Sequence, residues 1–307
     1  MAQHFIEIRD YTTEQLRLLL KNAKSMKTLY QRGGRDVCMG GKTMVMIFEK
    51  PSARTRMSFE TLMTQMGGAA MYIRQEDIGG LGKREPIKDL TRVLNGYVDV
   101  IVARTFSHES VLELARYASV PVINALTDFS HPCQAMADML TMEEHCGGLA
   151  GRKLVYIGDS NNVTWSLAMA SIRLGVRMVI CSPKKYRFSR ELEQKIAVEK
   201  GPGSVSFEGD PKVAAAEADV VYTDTWTSMG QEAEKEQRIK DFAGFQVNSA
   251  LMKAAGPQAK FMHCLPAYRG LETTDEVMES EQSIIFDEAE NRLHFQRYLV
   301  KYLCVGE

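Results

Sequence analysis

Absences narrow this 307-residue sequence first. Lys and Arg total 38 against 39 for Asp and Glu, a net charge of -1, so there is no basic field of the kind that holds nucleic acid. Any anion bound here is small and locally caught. No uninterrupted apolar run approaches the roughly 20 residues that cross a bilayer, and the opening MAQHFIEIRDYTTEQLRLLL has no basic region followed by a long apolar one. The expectation is a cytoplasmic protein with no membrane partner. The six cysteines (Cys38, Cys133, Cys146, Cys181, Cys264 and Cys304) form no CxxC pair. A chain this long needs no disulfides to hold its core, so reduced thiols and no metal site are expected. Internal repeats, low-complexity tracts and long linkers are also missing.

What is present is an alternation of short apolar runs with helical patterns. Thr43 to Phe48 (TMVMIF) has the length and β-branching of a buried strand. After it, Phe59, Leu62, Met63 and Met66 mark one helix face, with Ser52 placed to cap the first turn. Similar runs end at Ala103 (VDVIVA), Asn124, Gly158, Cys181, Thr223 and Cys264, with helical patterns between them such as Ser166 to Leu174 and Glu191 to Lys200. Thr12-Thr13-Glu14-Gln15 resembles a capping box, and Asp287 to Val305 reads as a long helix. The pattern predicts an α/β fold of two doubly wound domains, each a parallel sheet flanked by helices, with the C-terminal helix returning to the first. The glycine run Gly147 to Gly151 places the boundaries at 1–147, 148–287 and 288–307.

Open parallel sheets bind ligands outside the carboxyl ends of their strands. Those ends carry Ser52, Arg54, Thr55 and Arg56; Arg104 and Thr105; Asp128 and His131 to Gln134; Asp159 to Asn162; Asp224 to Gly230; and His263 to Gly270. Arg54 and Arg56 read either as solvated helix-surface cations or as part of a phosphate cage built on helix amides, the Ser52 cap and Arg104. No G-x-G-x-x-G or Walker A pattern accompanies that turn, which favours a small phosphorylated metabolite over a nucleotide. Gly158-Asp-Ser-Asn-Asn162 lacks the further glycines of a dinucleotide loop, so NAD is rejected. His131 and Gln134 read either as donors to a carbonyl oxygen or as a buried histidine capping a helix. Asp224 suits an ammonium group, and the following loop, with Trp226 and Ser228, reads as a substrate loop or an aromatic plug. Cys264 has no second histidine placed to activate it, so its role is noncovalent.

Together, Ser52-Ala-Arg-Thr-Arg56, His131-Pro-Cys-Gln134, Asp224 with Ser228-Met229-Gly230, His263-Cys-Leu-Pro266 and Glu290-Asn-Arg-Leu-His294 resemble the aspartate/ornithine carbamoyltransferase superfamily, on its ornithine side. The resemblance implies that Ser52, Ala53, Arg54, Thr55, Arg56, Arg104, His131, Gln134, Cys264, Leu265 and Arg292 bind carbamoyl phosphate. It further implies that Asn162, Asp224, Ser228 and Met229 bind L-ornithine, that Arg104, His131, Asp224 and Cys264 carry the catalysis, and that neither cofactor nor metal takes part. Members are typically homotrimers with shared active sites. Two positions depart from the family pattern: Gly80 stands where a glutamine is common, with Lys83 or Arg84 as substitutes, and Ser160 replaces a glycine. Another amine acceptor, such as putrescine or an acylated ornithine, and a non-catalytic anion-binding regulator are the competing readings.

Overall fold

The computed structural model describes residues 3–228 and 230–306. The helices are α1 (Thr13–Gln31), α2 (Ala53–Gln65), α3 (Ile87–Leu94), α4 (His108–Tyr117), α5 (Pro132–Cys146), α6 (Asn162–Leu174), α7 (Arg190–Val198), α8 (Pro211–Ala215), α9 (Lys235–Asp241), α10 (Ser249–Ala255), α11 (Asp275–Met278) and α12 (Ile285–Cys304). The strands are β1 (Thr43–Phe48), β2 (Ala69–Arg74), β3 (Val100–Arg104), β4 (Val122–Leu126), β5 (Lys153–Ile157), β6 (Arg177–Cys181), β7 (Ser204–Glu208), β8 (Val220–Thr223) and β9 (Lys260–His263). No helix among the described residues is long and apolar enough to cross a membrane.

The chain divides into two compact units, Met1–Ala137 with Asn291–Glu307, and Asp138–Glu290. Both breaks fall inside continuous helices, α5 and α12, whereas the glycine run lies wholly in the second unit. Helices, once nucleated, propagate through their apolar faces, and composition at a glycine run does not register that.

In the first unit the sheet order is β2-β1-β3-β4, all parallel. Val45, Ile47, Ile101, Ala103 and Val122 pack there with Ile87 and Leu94 of α3 and Val111 and Leu114 of α4. Burying side chains of this size contributes about 1.5–3 kcal/mol each before the entropy of ordering is subtracted. The end of α12 belongs to this unit: Phe295 packs on Phe5 at 5.9 Å, and Asn22 donates to the Tyr298 hydroxyl at 2.7 Å. Thr12 and Gln15 exchange both hydrogen bonds of a capping box at the start of α1.

In the second unit the order is β7-β6-β5-β8-β9, again all parallel. Val155, Ile157, Val221 and Phe261 form its core with Ala214 and Ala215 of α8 and Leu251 and Met252 of α10. Each sheet winds outward in both directions from a central pair, β1 and β3 in one and β5 and β8 in the other. That pair is where strand order reverses and a crevice opens at the carboxyl ends.

Candidate active site

At the β1/β3 reversal, α2 begins directly behind β1. Ser52 is its N-cap, its Oγ accepting from the Thr55 amide at 3.3 Å, an arrangement that stabilises a helix start by about 1 kcal/mol. Arg104 ends β3, and the β3/β4 register steps between Ala103 and Arg104. Such irregularities re-aim a side chain. Arg104 is buried, its Nε donating to the Lys50 carbonyl at 3.2 Å, and it makes no ion pair among the described residues. Burial, then Arg292, then Arg54 push its guanidinium down to about 9.

Arg292, on α12, binds this corner together. Its Nη1 donates to Gln134 Oε1 at 2.5 Å, its Nη2 to Thr55 Oγ1 at 3.4 Å and its Nε to Gln296 Oε1 at 3.0 Å. His131 precedes α5, where Pro132 takes the first helical position, a place whose missing N–H costs nothing. The His131 carbonyl accepts from the Gln134 and Ala135 amides, both at 3.2 Å. Burial, followed by Arg292 and Arg104, holds its imidazole well below the usual range, so it is a neutral N–H donor near pH 7. Guanidinium groups converging with so little compensating charge form an acceptor for a dianion.

Arg56 is engaged otherwise. Its Nε pairs with Glu60 at 2.9 Å, one turn along α2, and its guanidinium lies 4.2 Å from the Tyr72 ring centre. Gly80 has φ +89, and a Cβ there would lie 2.8 Å from Lys83 Cδ. A glutamine would thus be strained at this turn.

At the β5/β8 reversal, Asp224 follows β8 and is buried. Oδ1 accepts from the Thr225 amide at 2.7 Å and from the Cys264 thiol at 3.1 Å, and Oδ2 accepts from Asn161 Nδ2 at 2.9 Å. Asn161 caps α6 through its other amide atom, Oδ1 receiving the Val163 and Thr164 amides. One asparagine therefore fixes both a helix start and the carboxylate. Burial, then Asp224 and Glu288, push the Cys264 thiol well up, so it is a protonated donor and not a thiolate.

The His263-to-Pro266 turn is locked by its own histidine. Nδ1 accepts from the Leu265 amide at 2.9 Å, and Nε2 faces Glu272 Oε1 at 3.2 Å, which assigns the proton to Nε2. Leu265 sits at φ +56, a left-handed conformation costing a side-chain-bearing residue about 1–2 kcal/mol. Asp224, His263 and Cys264 bring donor atoms within 4.8 Å of one another, yet both ring nitrogens of His263 are already engaged by the Leu265 amide and Glu272.

Around this centre, Ser160 Oγ meets Ser182 Oγ at 2.9 Å, so the hydroxyl at this departure from the family pattern is partnered. Trp226 stacks on Phe242 at 5.3 Å and is buried with Tyr186, which makes it the aromatic plug of its loop. Arg238 crosses beneath, donating from Nη1 to Asp159 Oδ2 at 2.6 Å and to the Trp226 carbonyl at 3.0 Å.

The carbamoyl-phosphate-binding domain of the aspartate/ornithine carbamoyltransferases matches residues 3–144, and the Asp/Orn-binding domain of the same family matches residues 150–303. The chain belongs to that family. An ornithine carbamoyltransferase of Pyrococcus abyssi is 48% identical over 97% of this chain and 95% of its own length. The chloroplastic enzyme of Pisum sativum is 48% identical over 97% of this chain and 80% of its own. The solved ornithine carbamoyltransferase of Pyrococcus furiosus superposes with a TM-score of 0.95 at 46% identity, covering 100% of this chain and 98% of that one.

In this carbamoyltransferase the first unit collects Ser52, Ala53, Arg54, Thr55, Arg56, Arg104, His131, Gln134 and Arg292, while the second holds Asn162, Asp224, Ser228, Cys264 and Leu265. Cys264 and Leu265 thus belong to the same unit as Asp224. Met229 lies outside the described residues. Sequence reasoning placed Asn161 in the strand-end stretch Asp159 to Asn162 without giving it a role; its hydrogen bonds to both the helix start and Asp224 show only in three dimensions.

Proposed function

We propose that this family member transfers the carbamoyl group of carbamoyl phosphate to the δ-amine of L-ornithine, giving L-citrulline and phosphate. The observation that carries the reading is the buried Arg104, flanked by Arg54 and Arg292 at the β1/β3 reversal. The names of the relatives supply the acceptor amino acid, and Asp224 agrees with them: a buried carboxylate favours an amine and disfavours the second carboxylate of aspartate.

In the proposed roles, Ser52, Ala53, Arg54, Thr55, Arg104, Gln134 and Arg292 hold the phosphate and carbamoyl oxygens, with Arg56 swinging from Glu60 to join them. Cys264 and Leu265 border the carbamoyl end, and Asn162, Asp224, Ser228 and Met229 hold ornithine. The neutral amine attacks the carbamoyl carbon. A C–N bond forms, the electron pair of the breaking C–O bond leaves with phosphate, and the amine proton is lost to solvent or phosphate. Arg104 and the His131 N–H stabilise the developing oxyanion, and the guanidinium groups the departing phosphate. No cofactor or metal enters these steps. Residues 1–147 and 288–307 serve carbamoyl phosphate and 148–287 ornithine. A cytoplasmic homotrimer with shared sites, working in amino-acid biosynthesis, completes the proposal; a Pyrococcus furiosus relative, 47% identical, is named anabolic.

The δ-amine resembles that of lysine, pKa about 10.4, so the rate at subsaturating ornithine rises from about pH 6 to about pH 8.5. His131, already neutral, adds no limb in that range. Steady-state rates across those pH values test the mechanism; a flat profile contradicts rate control by the amine.

A further inference from the structure

Below the second-unit site lies a pair of acids that the mechanism above does not use. Glu288, on α12, is fully buried, and Asp138, on α5, is 2% exposed. The two carboxyl groups are close enough in this buried space to act on each other; a hydrogen bond between them needs a proton on one, because a carboxylate has only acceptors. Two carboxylates in contact and out of water do not both ionise, and their proton belongs to the pair rather than to either residue.

The partners of this pair are the last links before the site residues. Glu288 Oε2 accepts the backbone N–H of His263 at 2.8 Å, one residue before Cys264. Asp138 Oδ2 accepts the Tyr222 hydroxyl at 3.2 Å, two residues before Asp224. Tyr222 and His263 are wholly buried, at the ends of neighbouring strands β8 and β9. Glu288 therefore grips β9 and Asp138 grips β8, with the Tyr222 hydroxyl also bearing on Glu288, and the ends of these strands meet in the Cys264–Asp224 hydrogen bond.

We propose that Asp138 and Glu288 share a single proton and act as positioning residues for ornithine, clamping the ends of β8 and β9 so that Asp224 and Cys264 are held at bonding distance. A second negative charge in this dry space repels the first and opens the clamp. The groups facing the pair are the Tyr222 hydroxyl from β8, the His263 amide from β9 and the Cys264 thiol just beyond β9. Tyr222, whose hydroxyl burial pushes well up, stays protonated and donating. Burial, with Asp138 next, also drives the Glu288 carboxyl well above the ordinary range.

The proposal rests on the ornithine reading of Asp224, so its test includes one readout independent of it. Infrared difference spectra compare the full-length protein with Glu288→Gln and Asp138→Asn, and binding of an ornithine analogue lacking the δ-amine is followed from neutral to alkaline pH. Glutamine can accept from His263 and donate to Asp138 without a shared proton. The expected result is a buried protonated-carboxyl band in the parent near neutral pH that both variants lack. Wherever that band vanishes with rising pH, analogue affinity falls with it in the parent and stays constant in Glu288→Gln. Glu288→Ala, if it folds, weakens the analogue about tenfold, the cost of one lost hydrogen bond, and leaves carbamoyl phosphate binding within twofold. No band in the parent, or a band that vanishes without any change in binding, overturns the proposal. A parent that shows the band yet makes no citrulline refutes the ornithine reading and leaves the shared proton standing.

Discussion

The Cys264 thiol donates to Asp224 Oδ1 across 3.1 Å, and the same carboxylate receives Asn161 through its other oxygen. A thiol that donates is not a nucleophile. Burial and the neighbouring acids raise it further from ionisation. Cys264→Ser, which keeps a donor, is expected to retain kcat within about tenfold, whereas removing a covalent nucleophile costs far more. Loss of all activity in Cys264→Ser, with Asp224 geometry intact by crystallography, contradicts the donor role.

Arg104 gives a prediction about stability. Its guanidinium, depressed to about 9, is disfavoured by the fold. For a base whose folded value lies below its unfolded one, the penalty is present below about pH 9 and eases as pH climbs past it. Phosphate supplies the missing counter-charge, so at about 100 times its Kd it stabilises the protein by about 2.7 kcal/mol. Thermal melts at pH 7.5 of the parent and Arg104→Met check this, on the order of 100 Kd. The variant is expected to lose the phosphate shift and to melt no lower than the parent without ligand.

Arg238 joins Asp159 to the Trp226 loop. Arg238→Ala strands a partly buried carboxylate that desolvation already raises against the pull of this arginine. Breaking such a pair costs about 3–5 kcal/mol. Urea unfolding is expected to register that loss, and steady-state kinetics a higher KM for ornithine with an unchanged KM for carbamoyl phosphate.

Much of this was legible in the sequence, and the exceptions have physical causes. The Ser52 and Thr12 caps are local, so hydroxyl and helix pattern sufficed. β1, β3, β5 and β8 are buried on both faces and read as continuous apolar runs. β2 (AAMYIR) and β7 (SVSFE) passed unread; neither has a buried position, only exposed and half-buried ones, so no core-facing pattern marks them. The site showed the same divide. Arg104 and Asp224 stood out as charges at strand ends, whereas Asp138 and Glu288 look like ordinary helical acids until distant segments bring them together.

Gly80 offers a direct trial of the departure from the family pattern. At φ +89 and against Lys83, a glutamine at this position is expected to destabilise by about 1–2 kcal/mol. Gly80→Gln should therefore lower the denaturation midpoint and fail to raise activity. A gain in carbamoyl phosphate affinity without that loss contradicts the loop geometry.

The central claim is the acceptor. Purified protein given carbamoyl phosphate with L-ornithine, putrescine or N-acetylornithine in parallel, with ureido products quantified by colour, measures kcat/KM for each. The account predicts citrulline from ornithine with an efficiency at least about 100-fold above either alternative, because in the proposed roles Asp224 and the loop at Ser228 address an amine and a free amino acid together. Equal or faster turnover of putrescine or N-acetylornithine, or no product from any, contradicts it.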